Sequence, residues 1–366
     1  MISKLLGLRI FEVEVSSFCN VHCRYCPREL VPESGLMTRE TFSRFLDGLN
    51  LGRMDSVSFV GMGEPTLNPR LSEFVRMVKT RFPKTHTWVT TNGTNLTAKT
   101  LPPLLAAGLD TLGISFNGLD PRTYEQNMPG AKFEKTLTHV DDSVRAARLA
   151  GGHTRVQINY IVTAENAERE AEIQAFWRKR GVTHFRPQRM HDRAGTASAV
   201  PGMSTVDSAG LNGRPCVRSA VMPFISWKGE VLPCAHDMRR VNVLGNVCQE
   251  SWGDIETRQR DIFRCTQSPA MCAACKDPLR HDMLKKMDEV VRKELIVRVK
   301  DRLFTPLRST VCWLRGLVHR RGVPPVGSVV LSPAPRDVES TGPVAMPTGD
   351  LVDGAEMDSP QPVLSK

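Results

Sequence analysis

The sequence predicts an α/β fold of six parallel strand–helix units followed by a small cysteine-bearing domain. Three observations predict it: short apolar segments alternate with longer amphipathic ones, polar motifs directly follow several of the apolar segments, and a second group of cysteines lies beyond a break in composition. This alternation is typical of parallel βαβ units, because two parallel strands need a crossover connection between them.

Strands are predicted over residues 10–15, 56–60, 86–90, 111–116, 156–162 and 184–187. Helices are predicted between them, over residues 38–49, 69–81, 98–107, 136–150 and 165–180. Thr38 and Thr41 supply only a partial N-terminal cap for the first helix. Asn166 is a better start signal for the last helix, because its amide oxygen can accept a hydrogen bond from a free backbone N–H.

A run of three cysteines, Cys19, Cys23 and Cys26, follows the first predicted strand with the spacing C-x3-C-x2-C. Three soft thiolates this close together can bind one face of an iron–sulfur cluster. A four-iron cluster needs a ligand on each iron, so three cysteines leave one iron open to a non-protein ligand. A structural zinc site would need a fourth ligand, for which His22 is the only local candidate. Three unrelated cysteines in a reduced protein are the remaining alternative.

Further polar motifs follow the next three strands. The segment Gly61-Met62-Gly63-Glu64-Pro65 combines glycines, which let backbone approach a ligand, with a carboxylate that can hold an ammonium group. Asn92 follows the third strand, and Ser115 and Asn117 at the end of the fourth have groups suited to a ribose. Each motif alone is ordinary turn chemistry. Because the C-terminal ends of parallel strands lie at the same edge of their sheet, Cys19, Glu64, Asn92 and Asn117 are expected to converge.

These motifs, in this order and with Tyr25 as the aromatic residue before the third cysteine, resemble the radical S-adenosylmethionine (SAM) superfamily. The resemblance implies a partial (β/α)6 TIM-like barrel over residues 1–190, and a [4Fe–4S] cluster on Cys19, Cys23 and Cys26 whose open iron binds SAM. It implies reductive cleavage of SAM to a 5′-deoxyadenosyl radical that abstracts hydrogen from a substrate, with an electron donor such as flavodoxin or ferredoxin. The residues that it implies for SAM binding are Tyr25, Gly61, Gly63, Glu64, Pro65, Asn92, Ser115 and Asn117.

A second cysteine set follows a Gly-, Ser- and Ala-rich stretch, of which residues 191–215 are predicted to be a linker. Its members are Cys216, Cys234, Cys272 and Cys275, the last two in a C-x2-C pair that lets both thiolates reach one metal. Residues 223–232 predict a hairpin with Trp227-Lys228-Gly229 at its bend.

This second set resembles the auxiliary-cluster extension of the SPASM and twitch branch of radical SAM enzymes, here over residues 216–282. Full SPASM domains continue with more cysteines, but His281 and Lys285 occupy the next two expected places. The resemblance therefore implies one auxiliary [4Fe–4S] cluster. Four cysteines close all four irons, which favours electron transfer over substrate binding. A four-cysteine zinc site, or His281 replacing a cysteine, are the alternatives. Cys248, Cys265 and Cys312 are predicted to be packing thiols.

Length and composition limit the domain content and the location of the protein. A chain of 366 residues can hold one large barrel and a small domain. Residues 1–8 are too short an apolar stretch for a signal peptide, because Arg9, Glu12 and Glu14 follow. No apolar run has the eighteen or so residues of a membrane span. A reducing cytoplasmic location is expected.

The C-terminal part is strongly biased in charge. Residues 276–321 hold 13 Lys/Arg against 6 Asp/Glu, and apolar residues at helical spacing predict basic amphipathic helices over residues 283–321. We favour helices packed on the barrel with solvated charges over peripheral contact with the inner membrane surface or with an acidic partner. Nucleic-acid binding is disfavoured, because no aromatic stacking platform accompanies the charge. The proline-rich residues 322–366 lack aromatic residues and are predicted to be disordered.

The substrate is the least determined point. By analogy with single-auxiliary-cluster relatives, we expect oxidation or epimerisation of a small polar molecule such as a sugar or cyclitol, with the auxiliary cluster as electron acceptor. The alternatives are a sulfatase-maturase-like peptide or protein maturase and a non-catalytic zinc-binding module. An arginine can bind a carboxylate or phosphate, and His191 can accept a proton, although a solvated loop explains these residues equally well. The candidate substrate contacts are Arg186, Gln188, Arg189, His191 and Asp192.

Overall fold

Six parallel strands form the partial barrel of the computed structural model, which describes residues 9–49, 54–163, 165–189, 216–263, 269–273, 275, 277 and 283. Each strand pairs in parallel with the next along the chain, so spatial order follows sequence order. The strands are β1 (Ile10–Val13), β2 (Ser56–Phe59), β3 (His86–Thr91), β4 (Thr111–Ser115), β5 (Arg155–Val162) and β6 (His184–Arg189). The predicted α/β fold with a parallel sheet is confirmed.

Helices cover the outer face of this sheet. They are α1 (Arg39–Gly48), α2 (Leu71–Arg81), α3 (Leu101–Ala106), α4 (Pro121–Asn127), α5 (Phe133–Leu149) and α6 (Glu170–Lys179). The Thr38 hydroxyl accepts a hydrogen bond from Thr41 N at 3.1 Å, so the predicted cap of α1 is present. Helix α4 is missing from the prediction, although the Asp120 carboxylate accepts from Thr123 N at 2.9 Å and Pro121 occupies the first turn, both helix-start signals.

The predicted role of Asn166 is wrong. Its side chain accepts from Thr163 N and donates to Ile161 O, both at 2.9 Å, so it fixes the end of β5 instead of capping a helix. A short 3-10 turn, Ala167–Arg169, follows, and α6 begins only at Glu170.

The strands alternate between an apolar outer face and a polar inner face, as a side-chain period of two requires. On β1, Phe11 and Val13 belong to the core between sheet and helices. Glu12 lies on the opposite, concave face, which we call the lumen, and Glu14 follows with the same parity. Both carboxylates are buried, at 9% and 1% exposure. Buried charge on an otherwise apolar strand requires partners, and these come from the C-terminal domain.

The C-terminal domain continues the same sheet. The predicted hairpin is confirmed: β7 (Phe224–Ile225) pairs antiparallel with β8 (Glu230–Leu232), and Gly229 takes the positive φ of 86° that the turn requires. A further strand, β9 (Gly245–Asn246), pairs with β8. Strand β7 pairs in parallel with β1, giving a nine-stranded sheet. The domain's helices are α7 (Val217–Val221), α8 (Trp252–Phe263) and α9 (Ala270–Ala273).

Several predictions fall outside the described residues: the linker, the basic helices except at Met283, the tail, and Cys265, His281 and Cys312. Cys248 is described and exposed, so the prediction that it packs in the interior is wrong. It lies in the turn after β9, where the neighbouring Val247 is the buried residue. Among the described helices, none has the length and apolar character needed to cross a membrane.

The aromatic centre of the outer core provides a stability test. Phe42 of α1 is fully buried and stacks on Phe74 of α2, with ring centroids 4.5 Å apart. We expect Phe42→Ala to lower the free energy of unfolding by about 3–5 kcal/mol, because it leaves a cavity between two helices and the sheet. Urea titration followed by circular dichroism measures this. The control is Leu149→Ala, at 82% exposure, which should change it by less than about 0.5 kcal/mol. Equal losses in both variants would contradict this position for the core.

Candidate active site

The loop after β1 brings the first three cysteines together at the C-terminal end of the strand. The Cys26 amide donates to Cys23 O at 3.0 Å, which closes a turn between the two. The loop is held from outside by the segment after α4: His22 N donates to Pro129 O at 2.7 Å and Arg24 N donates to Asn127 O at 3.0 Å. The geometry of the triplet therefore depends on α4, the helix that the sequence analysis missed.

The three thiols lie close enough to influence one another. Burial, together with the neighbouring Cys26 and Cys19, raises the pKa of Cys23 to about 12. Burial also raises the pKa of Cys19, with contributions from Glu64 and Cys26. Thiols in such surroundings become thiolates when a bound cation compensates their charge. The donor set and its electrostatics therefore fit an iron–sulfur cluster.

His22, the alternative zinc ligand, is occupied by Arg28. The Arg28 Nη2 atom lies 2.8 Å from Nδ1 and 3.0 Å from Nε2 of His22, and Arg28 Nη1 donates to Cys19 O at 2.7 Å. A guanidinium against the imidazole ring opposes a second cation on the same ring. Within the described part of the chain, no three His, Cys, Asp or Glu side chains are placed to bind a single metal ion.

Glu64 organises the neighbouring loop. Its Oε1 accepts from the Thr66 amide at 3.0 Å and from the hydroxyls of Thr66 and Thr91, each at 2.6 Å, while Oε2 accepts from Asn92 N at 2.6 Å. Burial raises the pKa of Glu64 although these donors oppose it. The carboxylate thus ties the loop after β2 to the loop after β3. Its predicted role of holding an ammonium group stays a prediction.

The two glycines of this loop are required by close approach. A Cβ atom on Gly63 would lie 2.3 Å from Ser16 O, and one on Gly61 would lie 2.6 Å from Cγ of Glu14. Pro65 begins a 3-10 turn, Pro65–Leu67. The predicted SAM-binding loop therefore packs directly on the backbone that leads to Cys19.

The other predicted SAM-binding residues reach the same mouth in different ways. Asn92 Nδ2 donates to Asn20 Oδ1 at 3.0 Å and lies 3.8 Å from Cys19 Sγ. The Tyr25 hydroxyl donates to Asn127 Oδ1 at 3.4 Å. Asn117 Oδ1 accepts from Ile161 N at 2.9 Å, so this amide joins β4 to β5. Ser115 is half-buried at the end of β4.

The second cysteine set lines one cavity. Cys216 precedes α7, Cys234 follows β8, and Cys272 and Cys275 lie at α9, yet all four border the same space. Burial raises the pKa of Cys234, as do Cys216 and Cys272, whereas Arg218 opposes this. Four thiols around one buried space fit a closed cluster site without a vacant position.

Arg218 connects this cavity to β1. Its Nη2 donates to both Glu12 oxygens, at 2.9 and 3.1 Å, and its Nη1 donates to Asp277 Oδ2 at 2.7 Å. All three residues are buried. The nearby Glu12 and Asp277 carboxylates raise the pKa of Arg218 against the opposing effect of burial. One cation thus lies between the auxiliary cysteines and the lumen.

A second arginine makes an equivalent contact with Glu14, which directly follows β1. Arg240 Nη2 donates to Glu14 Oε2 at 2.7 Å and Nη1 donates to Glu230 Oε2 at 3.3 Å. Arg240 adopts a φ of 55°, a left-handed conformation that costs a non-glycine residue free energy. Glu14 in turn accepts from Met62 N at 3.1 Å, inside the glycine loop. Neither arginine was predicted from the sequence. The two-residue spacing of Glu12 and Glu14 was the one available signal.

The candidate substrate contacts are described in part. Arg186, Gln188 and Arg189 are exposed on β6, whereas His191 and Asp192 lie outside the described residues. The Arg186 guanidinium carbon lies 4.9 Å from the centre of the Trp88 ring. One of the five candidates is therefore placed against an aromatic side chain of the lumen.

Comparison with known families gives two matches. The model of the radical SAM superfamily matches residues 13–176, and the model of the SPASM iron–sulfur cluster-binding domain matches residues 216–277. The first match includes Cys19, Cys23 and Cys26, and the second includes the four cysteines of the second set.

Among individual proteins, the chain is 26% identical to the tungsten-containing aldehyde ferredoxin oxidoreductase cofactor-modifying protein of Pyrococcus furiosus, over 74% of this chain and 87% of that protein. It is 32% identical to a GTP 3′,8-cyclase of Streptomyces coelicolor, but spans only about half of that relative, 48%.

Two solved structures share the fold. BtrN in complex with AdoMet and 2-DOIA aligns with a TM-score of 0.52 and 21% identity, over 74% of this chain and 94% of that chain. SuiB of Streptococcus suis bound to the precursor peptide SuiA aligns with a TM-score of 0.57 and 14% identity, over 75% and 73%. At these identities the likeness is one of fold.

Arg218 provides a test of the link between the two cysteine sets. We expect Arg218→Met to lower the free energy of unfolding by about 3–5 kcal/mol, because it leaves Glu12 and Asp277 buried without their cation. Arg218→Lys, which keeps the charge, should lose less. Anaerobic urea titration measures both. Arg239→Met removes an exposed arginine of the same domain and should cost less than about 0.5 kcal/mol. A loss as small for Arg218→Met would contradict the importance of this ion pair.

Proposed function

Because the chain belongs to the radical SAM superfamily and carries a SPASM iron–sulfur cluster-binding domain, we propose that it oxidises or epimerises a small polar substrate bound in the barrel lumen. The superfamily uses a [4Fe–4S] cluster and SAM, and SPASM domains bind auxiliary iron–sulfur clusters. When bound, these groups supply one-electron cleavage of SAM to a 5′-deoxyadenosyl radical that abstracts hydrogen, and an acceptor for the electron left on the substrate.

The residues of this chain have separate tasks in the proposal. Cys19, Cys23 and Cys26 hold the first cluster, and Arg28 and the segment after α4 fix their loop. Glu64 keeps the loops after β2 and β3 together and places Asn92 beside Cys19. Cys216, Cys234, Cys272 and Cys275 hold one auxiliary cluster in the cavity that they share.

One observation carries the proposal: strand β1 joins the two cysteine sets. Its C-terminal end leads to Cys19, its edge pairs with β7, and its Glu12 is bonded to Arg218, two residues after Cys216. A substrate in the lumen beside Glu12 would have Cys19, Cys23 and Cys26 at the barrel mouth on one side. On the other side, Arg218 would separate it from the second cysteine set. This order suits hydrogen abstraction on one side and electron acceptance on the other.

Two further points support a small polar substrate. The lumen face carries Glu12, Trp88, Asn159 and Arg186, which are suited to hydrogen bonds with a polar molecule. The fold is also that of BtrN, which was solved with AdoMet and 2-DOIA. The match to an iron–sulfur domain gives no support to a zinc-binding module.

A second candidate is the modification of a peptide, a protein or a protein-bound group. The Pyrococcus furiosus relative is named as a cofactor-modifying protein and is matched over most of its length, and SuiB was solved with a precursor peptide. Such an enzyme would consume SAM only together with a macromolecular partner. Turnover of SAM with isolated sugars or cyclitols distinguishes the two.

Metal content and SAM cleavage test the first cluster. After anaerobic reconstitution we expect about eight irons per chain in the wild type and about four in the variant with Cys19, Cys23 and Cys26 all changed to Ala. The reduced wild type should form 5′-deoxyadenosine, and the variant should form none. Cys248→Ala, which removes an exposed cysteine, is the matched control and should behave as the wild type. Persistent SAM cleavage in the triple variant would refute the assignment.

Removing the C-x2-C pair tests the auxiliary site. We expect the variant with Cys272→Ala and Cys275→Ala to lose about four irons yet still cleave SAM, because the first three cysteines remain. Oxidised product should disappear while 5′-deoxyadenosine still forms. A wild type with about four irons and one bound zinc would instead make this site structural and exclude an electron-accepting role.

A further inference from the structure

Two buried N–H donors on the lumen face lack an acceptor among the described residues. They are Nε1 of Trp88 on β3 and Nδ2 of Asn159 on β5. Asn159 is 2% exposed. Leaving a buried donor without an acceptor costs free energy, so a pair of them on one surface is a feature that a bound acceptor would relieve.

Gly113 of β4, the strand between them, brings these donors together. A Cβ atom built on Gly113 would lie 2.7 Å from Trp88 Nε1 and 2.7 Å from Asn159 Nδ2. The two nitrogens are therefore separated by no more than twice that distance. Trp88 Nε1 and Asn159 Nδ2 border the space that the side chain of any other residue at position 113 would fill. The absence of a side chain at Gly113 is thus what allows both donors to face the lumen.

The orientation of the Asn159 amide is fixed by its neighbour. Gln157 Nε2 donates to Asn159 Oδ1 at 2.8 Å, within the buried layer. The oxygen of Asn159 is therefore used, and its nitrogen is the atom that points toward Gly113 and Trp88.

A cation completes the group. Arg186 lies directly opposite Asn159 in the pairing of β5 with β6, and its guanidinium stacks on the Trp88 ring at 4.9 Å. It forms no ion pair with a described residue. The nearest carboxylates that act on it, Glu12 and Asp277, are both bonded to Arg218.

We propose that Trp88, Asn159 and Arg186 form an oxyanion-binding subsite that holds a carboxylate or phosphate group of the substrate. Two N–H donors and one guanidinium, with no acceptor for the two donors among the described residues, favour a negatively charged oxygen group over a neutral hydroxyl. The inference rests on the proposed function, since it assigns the substrate of that site to the class of polar molecules with an anionic group. Because Arg186 lies near Arg218, this end of the substrate is directed to the auxiliary side of the lumen.

Binding of three-carbon probes tests the subsite without turnover. Glycerate carries a carboxylate, glycerol 3-phosphate carries a phosphate, and glycerol carries neither. Titrations of the anaerobically reconstituted full-length protein, followed by saturation-transfer NMR, should show saturable binding of at least one of the two anions and none of glycerol. Which anion binds more tightly decides between carboxylate and phosphate. No saturable binding of either anion, or equal binding of glycerol, would overturn the proposal.

Variants then assign the binding to these residues. Trp88→Phe keeps the ring under Arg186 but removes the donor, and should weaken anion binding roughly fivefold. Arg186→Gln should weaken it roughly tenfold or more. Arg155→Gln removes an exposed arginine at the start of β5 and is the matched control, with unchanged binding expected. Circular dichroism confirms that each variant is folded. Wild-type affinity in folded Trp88→Phe and Arg186→Gln would overturn the assignment.

The formation of 5′-deoxyadenosine without substrate separates this inference from the proposed function. If the wild type and both variants cleave SAM but bind no anion, the subsite is wrong and the radical chemistry stands. If the wild type binds the anion through these residues but forms no 5′-deoxyadenosine, the subsite is supported and the proposed reaction fails.

Discussion

The structure depends on how two buried carboxylates, one on β1 and one directly after it, are neutralised. Glu12 projects from β1 on its lumen side and Glu14 follows the strand with the same parity; a charge without a partner at either position would destabilise the fold. Each is bonded to an arginine that lies more than two hundred residues further along the chain. Removing one partner of such a pair destabilises the folded state far more than replacing both partners with apolar residues, because it leaves a buried charge uncompensated. The barrel and the C-terminal domain are therefore coupled through β1, and neither the lumen nor the cysteine cavity is complete without the other part.

The same arginines explain how the two cysteine sets keep a fixed position relative to each other. Glu14 is bonded to Arg240 on one side and to the amide of Met62 on the other, so the hairpin region and the glycine loop share one carboxylate. Arg218 separates the auxiliary cavity from the lumen while contacting both. Buried charged groups that are bonded in this way move little, because any displacement would leave a carboxylate without its arginine. The proposed electron transfer to the auxiliary set would benefit from such rigidity.

Much of this was predictable from the sequence because the signals are local. Strand and helix periods placed the six β/α units, the turn residues around Gly229 placed the hairpin, and cysteine spacing distinguished the two cysteine sets. Asn166 and Cys248 show the limit of local reasoning. An Asn before a helical stretch is a good cap, but here its amide is used by the end of β5; a cysteine in an apolar context is usually buried, but here Val247 occupies the interior.

Long-range pairing is what sequence patterns do not encode. Nothing near Arg218 or Arg240 indicates a partner on the first strand, and the match of β7 to β1 rests on two residue pairs of ordinary apolar strands. The proximity of the Trp88 and Asn159 donors across Gly113 could not be predicted either, because a single glycine in a strand has many explanations. These features arise from the curvature that brings distant strands to one lumen.

The pairing of β7 with β1 also has a consequence for the order of synthesis. Strand β1 leaves the ribosome early and gains β2 on one edge soon afterwards, whereas its other edge waits for Phe224 and Ile225. At ordinary rates of translation this edge stays open for tens of seconds, with two carboxylates that have not met their arginines. Open strand edges invite association with other chains, and charges pointing inward are one of the devices that discourage it. In the nascent chain, Glu12 and Glu14 therefore disfavour association of other chains with the open edge of β1. In the folded protein, the same two carboxylates form ion pairs with arginines.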